Sequence, residues 1–280
     1  MSIRIITDSA SDIEQGEYQN VQVLPMTISI DEKLYRDGID ITKDEFYHLL
    51  ETSDTIPITS LVTPYQFEEA YDSVKAEGDE AIVITLSSRL SGTYQSATTA
   101  AEGKPWISVI DSKNITASQR LLVLRAMQLA LLGLSRKEIV DELEREKERI
   151  VIYAAVDTLD YLLKGGRISK SSALMGGFIG IKPILTLEDG ELVPIGKVRG
   201  SKKSHAFLNQ KIEEIGGIDF SMPYAVGYSG TDKRNLQKYL ESNQQILESV
   251  PHSPIIVQIG STIGTHAGPG TVFVTFFRKG

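Results

Sequence analysis

Short apolar runs rich in β-branched residues alternate with longer stretches of helical periodicity through the first half of the chain. Runs of about four to eight such residues are typical of buried strands. Because strands that alternate with helices pair in parallel under a cover of helices, the pattern predicts a mostly parallel α/β/α domain. The predicted strands are Ile3–Thr7, Val21–Ile30 (interrupted by Pro25), Ala81–Thr85, Ile107–Ile110 and Ile150–Val156.

The helices between these strands begin at recognisable capping sequences. Thr42 is followed three residues later by Glu45, which is the pattern of a capping box. Thr63-Pro64 places a capping hydroxyl and a first-turn proline ahead of a helix over Tyr65–Ala76. The other predicted helices are Thr93–Glu102, opened by Ser91-Gly92, Thr116–Leu132, and Arg136–Arg149, opened by Ser135 with Glu138.

The second half of the chain has a different pattern. Pro183–Leu187 and Leu192–Val198 flank Asp189-Gly190, a dipeptide typical of tight turns, and so predict an antiparallel hairpin. We therefore expect two α/β domains, residues 1–150 and 151–280, with a smaller mixed sheet in the second and a cleft between them. The other elements predicted here are helices at Lys202–Ile215 and Asp232–Leu247 and strands at Tyr224–Tyr228, Ile255–Ile259 and Thr271–Phe276.

Composition and charge narrow the classes of function. The 280 residues carry a formal charge of −8, so the chain lacks the basic surface that nucleic acid binding requires. It has no cysteine, which excludes disulfides, thiol nucleophiles and Cys-ligated metal centres. No secretory signal is visible, and the longest apolar stretch, from Leu121 to Leu134, is too short to span a bilayer. We expect a cytoplasmic protein without stable membrane insertion.

Several common catalytic motifs are absent from the sequence. Neither Gly103-Lys104 nor Gly196-Lys197 is followed by Ser or Thr, as a P-loop requires. The segment from Gly227 to Gly230 lacks the spacing of a nucleophile elbow, and no dinucleotide-binding glycine motif follows a strand. The four histidines do not form an H-E-x-x-H pattern, so we expect no metal site. These absences count against the commonest hydrolases, nucleotide enzymes and zinc enzymes.

Two hydroxyl-bearing segments precede predicted helices. Ser91 and Gly92 open one helix, and Thr59-Ser60 comes shortly before Thr63-Pro64. The N–H groups in the first turn of a helix have no partner within the helix and attract anions. In a parallel sheet both segments would lie at the carboxyl ends of the strands, where α/β proteins bind ligands. The alternative is that Ser91 only caps its helix.

Three further features carry charge or a titratable ring. Arg167 follows Gly165-Gly166, and His266 is the only histidine inside a predicted glycine-rich loop, Gly264–Gly270. A solvated arginine and a structural histidine are the alternatives to a ligand-binding role. In this acidic chain a basic cluster is either a solvated face or a docking surface for an acidic partner. Its members are Lys197, Arg199, Lys202, Lys203 and His205.

Taken together, blocks spread over nearly the whole chain resemble the DegV family. One departure from the family pattern is Leu61-Val62, where we would expect Gln-Pro after Thr59-Ser60. The matching blocks are Ile5–Asp12, Thr59-Ser60, Leu90–Gln95, Gly165–Ile168, Lys182–Leu185, Arg199–Lys203 and Gly264–Gly270. Members of this family are fatty-acid-binding proteins, among them the lipid-presenting subunit of bacterial fatty acid kinase.

The resemblance implies a two-domain α/β protein that holds a long-chain fatty acid at the domain interface and uses no cofactor. Thr59 and Ser91 would bind the carboxylate, helped by the N–H of Gly92. Arg167 and His266 would line the pocket mouth and meet the carboxylate or a transferred phosphate. An ATP-dependent fatty acid kinase subunit would form the acyl phosphate, so the protein would be a carrier and not itself an enzyme.

If the basic cluster is a docking surface, the partner kinase would dock on it through Arg199 and Lys202.

The function itself remains open to other interpretations. A rival function is a small-metabolite or phosphoryl-transfer enzyme on the same scaffold, since fold does not determine function. A regulatory interaction module is a third. The passage Lys164–Gly180 is interpreted as a hinge or cleft wall, and Ala173–Ile179 within it as a tunnel lining or a plain core helix.

Overall fold

The computed structural model describes residues 2–53, 55–169, 180–248 and 250–280. Within them the strands are β1 (Ile3–Asp8), β2 (Val21–Leu24), β3 (Thr27–Ile30), β4 (Lys33–Arg36), β5 (Ile58–Ser60), β6 (Glu80–Thr85), β7 (Ile107–Asp111), β8 (Ile150–Ala155), β9 (Ile181–Glu188), β10 (Glu191–Arg199), β11 (Ala225–Tyr228), β12 (Ile255–Gln258) and β13 (Val272–Phe277). The α-helices are α1 (Lys43–Thr52), α2 (Pro64–Ala76), α3 (Thr93–Ala101), α4 (Thr116–Leu131), α5 (Arg136–Glu146), α6 (Asp160–Lys164), α7 (Ser201–Glu214), α8 (Arg234–Ser242), α9 (Gln244–Glu248) and α10 (Ser261–Ala267).

The first sheet confirms the predicted parallel arrangement, except that Ile150–Val156, predicted together with its strands, forms β8 of the second sheet with antiparallel neighbours. Its four strands lie in the order β2-β1-β6-β7, and every neighbouring pair is parallel. The central strands β1 and β6 pair from Ile3 opposite Glu80 to Thr7 opposite Ile84. Helices α2 to α5 pack against these strands and bury their apolar side chains, so the largest hydrophobic core lies around this sheet.

Local capping explains where the helices around this sheet begin. The predicted box between Thr42 and Glu45 forms at the start of α1, and a second forms between Ser135 and Glu138 at α5. At α2, Thr63 and Gln66 bond reciprocally, and Pro64 occupies the first turn. Each box satisfies N–H groups that have no partner within the helix, which is why these boundaries could be predicted from sequence.

The second sheet is mixed, as predicted, but it is larger than the four-stranded first sheet and not smaller. Its six strands lie in the order β10-β9-β8-β13-β11-β12, and only β11 and β12 are parallel neighbours. The hairpin of β9 and β10 turns at Asp189 and Gly190, which both have positive φ, as a two-residue hairpin turn requires. Strand β8 begins at Ile150, beside the division that we expect between residues 150 and 151. That division stays a prediction.

A third sheet was not predicted. Val21–Ile30, expected as one strand, forms two strands in different sheets, because β3 joins an antiparallel sheet of order β4-β3-β5. Pro25 lies between the two and has no N–H to donate to a ladder. The carbonyl of Pro25 instead accepts a hydrogen bond from Gln66 Nε2 at 3.1 Å. Strands β4 and β5 are short and largely exposed, so they carry little hydrophobic pattern.

Three smaller differences concern helices. The predicted helix Asp232–Leu247 divides at Asn243 into α8 and α9, and Arg136–Arg149 ends in a 3₁₀ turn after Glu146. The short helices α6 and α10 were not predicted.

Ala173–Ile179 and most of Lys164–Gly180 lie outside the described residues. Among the described residues, no helix combines the length and the apolar character needed to cross a bilayer.

Candidate ligand-binding site

A cavity of about 360 Å³ lies between the first sheet and the second. Leu86 and Ile115, which follow β6 and β7, approach it from the carboxyl ends of the parallel strands. Ile152 and Ala154 on β8 and Phe273 on β13 face it from the mixed sheet. Its size falls within the range of roughly 300–1,000 Å³ that small-molecule pockets occupy. The carboxyl ends of parallel strands are the usual position for a ligand in such folds.

The wall of this cavity is mostly apolar. Alternation along the strands explains part of it, because Ala154 pairs with both Phe273 and Leu185, and directly paired residues face the same side of a sheet. Most of this wall can bury a methylene chain against apolar side chains. The apolar lining residues are Met26, Leu61, Leu86, Leu90, Ile115, Ile152, Ala154, Val156, Leu162, Leu185, Leu192, Ile259, Ile263, Ala267 and Phe273.

Five residues singled out in the sequence line this same cavity: Thr59, Ser91, Gly92, Arg167 and His266. They come from four separate segments of the chain. The hydroxyl of Thr59 and Nε2 of His266 lie 2.9 Å apart, within hydrogen-bond distance, although 207 positions separate the two residues. The fold thus gathers hydroxyls, a guanidinium and an imidazole around a largely apolar space.

The placement of Thr59 differs from the prediction. It does not follow a parallel strand but lies on β5, an edge strand of the third sheet, opposite Ile28. Ile28 is fully buried, so Thr59 faces inward, whereas its neighbours Ile58 and Ser60 are exposed. The alternation of a strand therefore turns Thr59 toward the cavity.

Ser91 lies in the turn between β6 and α3, as predicted, but the helix cap itself is Gly92. The Ser91 hydroxyl accepts the N–H of Thr93 at 3.3 Å and lies 3.0 Å from the Thr93 hydroxyl. Ser91 therefore does take part in starting the helix, which was the alternative interpretation. It also remains part of the cavity lining, so the two roles are compatible.

Arg167 is a half-buried residue and not a freely solvated one. Its Nε donates to the carbonyl of Leu90 at 3.2 Å, and Nη1 donates to the carbonyl of Gly165 at 2.6 Å. Leu90 immediately precedes Ser91. These two hydrogen bonds place the guanidinium beside the Ser91 turn, so a fixed positive charge stands next to the hydroxyls.

His266 lies in the last turn of α10 and not in a loop, which corrects the prediction. Burial, and to a lesser extent the Arg167 guanidinium, lowers the pKa of its imidazole to about 4. The ring is therefore neutral at pH 7. A side chain at Gly165 would overlap Nδ1 of this ring, so Gly165 allows the imidazole its position against Thr59.

Sequence reasoning missed a group of buried carboxylates beside the cavity. Asp8 accepts the N–H of Leu86 at 2.8 Å, and Asp12 accepts the N–H of Gly260 at 2.7 Å. Burial raises the pKa of each to about 6. Asp8 and Asp12 belong to a block that supported the family resemblance, but nothing in their spacing indicates which N–H groups they would meet. Asp37 is the third member of this group.

Two predicted site residues lie elsewhere. Arg199 ends β10 and Lys202 lies in the first turn of α7, and both are exposed and away from the cavity lining. Within the described ranges, neither forms an ion pair. Over the same part of the chain, no cluster of His, Cys, Asp and Glu is arranged to hold a metal ion.

Fold and cavity together define a mixed α/β protein that can enclose a small, largely apolar ligand. The chain belongs to the DegV family: the family model described as "uncharacterised protein, DegV family" matches residues 2–279. A DegV domain-containing protein from Caldanaerobacter subterraneus subsp. tengcongensis is 41% identical over 283 residues, covering 99% of each chain.

Solved structures of similar proteins have the same fold. A fatty-acid-binding DegV family protein from Thermus thermophilus superposes with a TM-score of 0.88 at 28% identity, over 99% of this chain and 100% of that one. A stearic-acid-binding protein from Eubacterium ventriosum gives a TM-score of 0.85 at 29% identity, over 100% of this chain and 99% of that one. The ligand that these relatives hold is a fatty acid.

Proposed function

We propose that this protein binds a long-chain fatty acid in the cavity, with the carboxylate at the end formed by Thr59, Ser91 and Gly92. The observation that carries the proposal is the cavity itself, an apolar space with hydroxyls, an imidazole and a guanidinium among its lining. That combination matches an amphiphile with one small polar head. The fatty acids bound by the Thermus and Eubacterium relatives support the same ligand class.

The burial of the acyl chain supplies most of the affinity. Each buried methylene contributes about 0.8 kcal/mol, so a chain of roughly 14 methylenes gives up to about 11 kcal/mol before ordering costs are subtracted. This upper limit corresponds to nanomolar binding. The head group therefore needs only modest stabilisation, which neutral hydroxyls and a helix N-terminus supply at about 0.3–2 kcal/mol.

We propose further that a separate kinase subunit phosphorylates the bound acid. A carboxylate oxygen would attack the γ-phosphorus of ATP held by that subunit, giving an acyl phosphate and ADP. The position of Arg167 supports this step, because a guanidinium beside Ser91 would stabilise charge that develops on the transferred phosphoryl group. Neutral His266 would donate or accept a hydrogen bond there. Burial would protect the mixed anhydride from water.

The experiment that tests fatty acid binding is native mass spectrometry of the purified protein, followed by titration with long-chain acids. We expect a bound lipid, or a mass gain on incubation. The double variant Thr59→Val with Ser91→Ala should weaken binding about tenfold or more, because both hydroxyls that meet the carboxylate are lost. Ser88→Ala is the control, since Ser88 is exposed and outside the cavity lining.

Two outcomes would contradict fatty acid binding as proposed. A ligand-free mass that does not change on incubation with long-chain acids would exclude fatty acid binding. Unchanged affinity of the double variant would place the carboxylate elsewhere in the cavity. Turnover of ATP by the isolated protein would instead favour an enzyme of its own over a carrier.

A further inference from the structure

Two buried carboxylates bind the first turn of α10, the helix that carries His266. Asp12 accepts the N–H of Gly260 at 2.7 Å. Asp37 accepts the N–H groups of Ser261 and Thr262, each at 3.2 Å, and the Thr262 hydroxyl at 2.6 Å. Both aspartates are at most 4% exposed. These N–H groups have no partner within the helix, so the carboxylates satisfy donors that would otherwise be buried without one.

The aspartates belong to a distant part of the sequence. Asp12 is separated from Gly260 by 248 positions, and Asp37 from Thr262 by 225. A helix of seven residues is too short to be stable by itself. The position of α10 therefore depends on contacts that other elements make with it.

The remaining contacts of α10 restrict where this helix can lie. The Tyr47 hydroxyl donates to the carbonyl of Ile259 at 3.0 Å, just before the helix. A Cβ added at Gly264 would lie 2.7 Å from that hydroxyl and 2.8 Å from Cε1 of Phe46. With its first turn bound to two carboxylates and its middle packed on α1, α10 presents His266 at its far end.

Asp12 has a second contact that reaches another wall of the cavity. Its carboxylate accepts a hydrogen bond from the hydroxyl of Thr116, the first residue of α4 and a lining residue of the cavity. Burial raises the pKa of Asp12 to about 6, and Lys43 is the cation that offsets this effect most. A buried carboxylate is destabilising unless hydrogen bonds compensate for the lost hydration, so its retention here calls for a role.

We infer that Asp12 and Asp37 are positioning residues, which fix the His266 imidazole against Thr59 by holding the first turn of α10. Neither carboxylate lines the cavity, so Asp37 acts through the helix, and Asp12 acts through the helix and through Thr116. The consequence for ligand affinity rests on the proposed function, whereas the placement of the ring does not.

The substitution Asp37→Asn tests this role with little change in volume. An amide has one acceptor oxygen, whereas the Asp37 carboxylate receives three hydrogen bonds from Ser261 and Thr262. We expect the first turn of α10 to loosen and the imidazole to gain access to water. The pKa of His266 should then rise from about 4 toward the ordinary histidine value near 6.5, since burial is the main cause of its depression.

The measurement is an NMR titration of the His266 imidazole in the ligand-free protein, assigned with a His266→Gln variant. Arg167 is the charged group that faces the ring, and it is unchanged in Asp37→Asn. The matched control is Asp219→Asn, because the Asp219 carboxylate likewise accepts an N–H at 3.1 Å and a hydroxyl at 2.6 Å, both from Ser221. Asp219 makes no hydrogen bond to α10. If Asp37→Asn does not fold, Thr262→Val is tested in its place, because it removes only one of the three donors, the Thr262 hydroxyl.

The outcomes separate this inference from the proposed function. A His266 titration shifted upward in Asp37→Asn but not in Asp219→Asn supports the positioning role, and fatty acid affinity should then fall about tenfold. An unshifted titration in a folded Asp37→Asn or Thr262→Val protein would overturn it. A shifted titration in a protein whose unsubstituted form binds no fatty acid would leave the positioning role standing and contradict the proposed function.

Discussion

At the residue scale, a single glycine determines whether His266 can reach Thr59. Gly165 has helical φ and ψ, so an alanine would suit its backbone. The added methyl group would overlap Nδ1 of His266 and lie 2.8 Å from Cε1, while the carbonyl of Tyr161 stands 3.1 Å away on another side. The added methyl group would therefore displace the His266 ring.

We expect Gly165→Ala to weaken fatty acid binding about tenfold and to lower the midpoint of thermal unfolding only slightly. Isothermal titration with a long-chain acid and a melting curve would measure both effects. Gly166→Ala is the matched control, because Gly166 has a φ of +71° with nothing within 4 Å of an added Cβ. It should destabilise the protein by about 1 kcal/mol and leave affinity unchanged. The reverse pattern would mean that His266 has no part in the site.

At the element scale, the sequence predicted the elements whose signals are local. The capping boxes of α1 and α5 and the turn at Asp189-Gly190 are each contained in a few neighbouring residues, and each is observed. The strand β5 and the helix α10 have no such signal. They are stable because of contacts with distant residues, such as the hydrogen bonds from Thr262 to Asp37.

The candidate site shows the same difference between local signals and contacts with distant residues. Thr59, Ser91, Gly92, Arg167 and His266 were singled out from the sequence, and all of them line one cavity. Their roles toward a ligand stay predictions. Their elements were partly misplaced, because Thr59 belongs to an antiparallel edge strand and His266 to a helix. The residue types carried chemical information, whereas the pairing of distant segments did not appear in any local pattern.

The packing of α10 on α1 gives a prediction at this scale. Gly264→Ala should push the two helices apart, because its Cβ would press on Phe46 and Tyr47. We expect a loss of about 1–3 kcal/mol in the free energy of unfolding, which is typical of overpacking, together with weaker fatty acid binding. Chemical denaturation and ligand titration would measure the two effects.

Thr63→Ala provides the comparison for that experiment. It removes the capping hydroxyl of α2 and should cost about 1 kcal/mol of stability. Because Thr63 lies outside the cavity lining, its loss should not affect affinity. If both variants lowered affinity in proportion to their instability, the position of α10 would have no specific influence on the ligand.

At the scale of the whole molecule, the basic cluster stands out against a net charge of −8. Lys202 lies in the first turn of α7, where a cation opposes the helix dipole. An acidic surface on the proposed kinase subunit would compensate for this cost. Association through such a surface should be fast and sensitive to salt.

We expect Arg199→Ala with Lys202→Ala to raise the carrier concentration needed for half-maximal phosphorylation, without a change in fatty acid affinity. The effect should be larger at low than at moderate salt, because screening weakens the attraction in the unsubstituted protein. Lys137→Ala with Arg145→Ala is the control, since it removes the same charge from exposed positions on α5. Equal behaviour of the two pairs would mean that the cluster is only a solvated face.

The contact between Thr59 and His266 also bears on how the protein is made. Ribosomes synthesise the chain from its amino end, so Thr59 on β5 emerges about two hundred residues before His266 on α10. Phe273, which closes part of the cavity wall, follows later still. The parallel sheet can form early, but a nascent chain lacks the complete cavity lining. Under the proposed function, lipid uptake would therefore wait until almost the entire polypeptide is available.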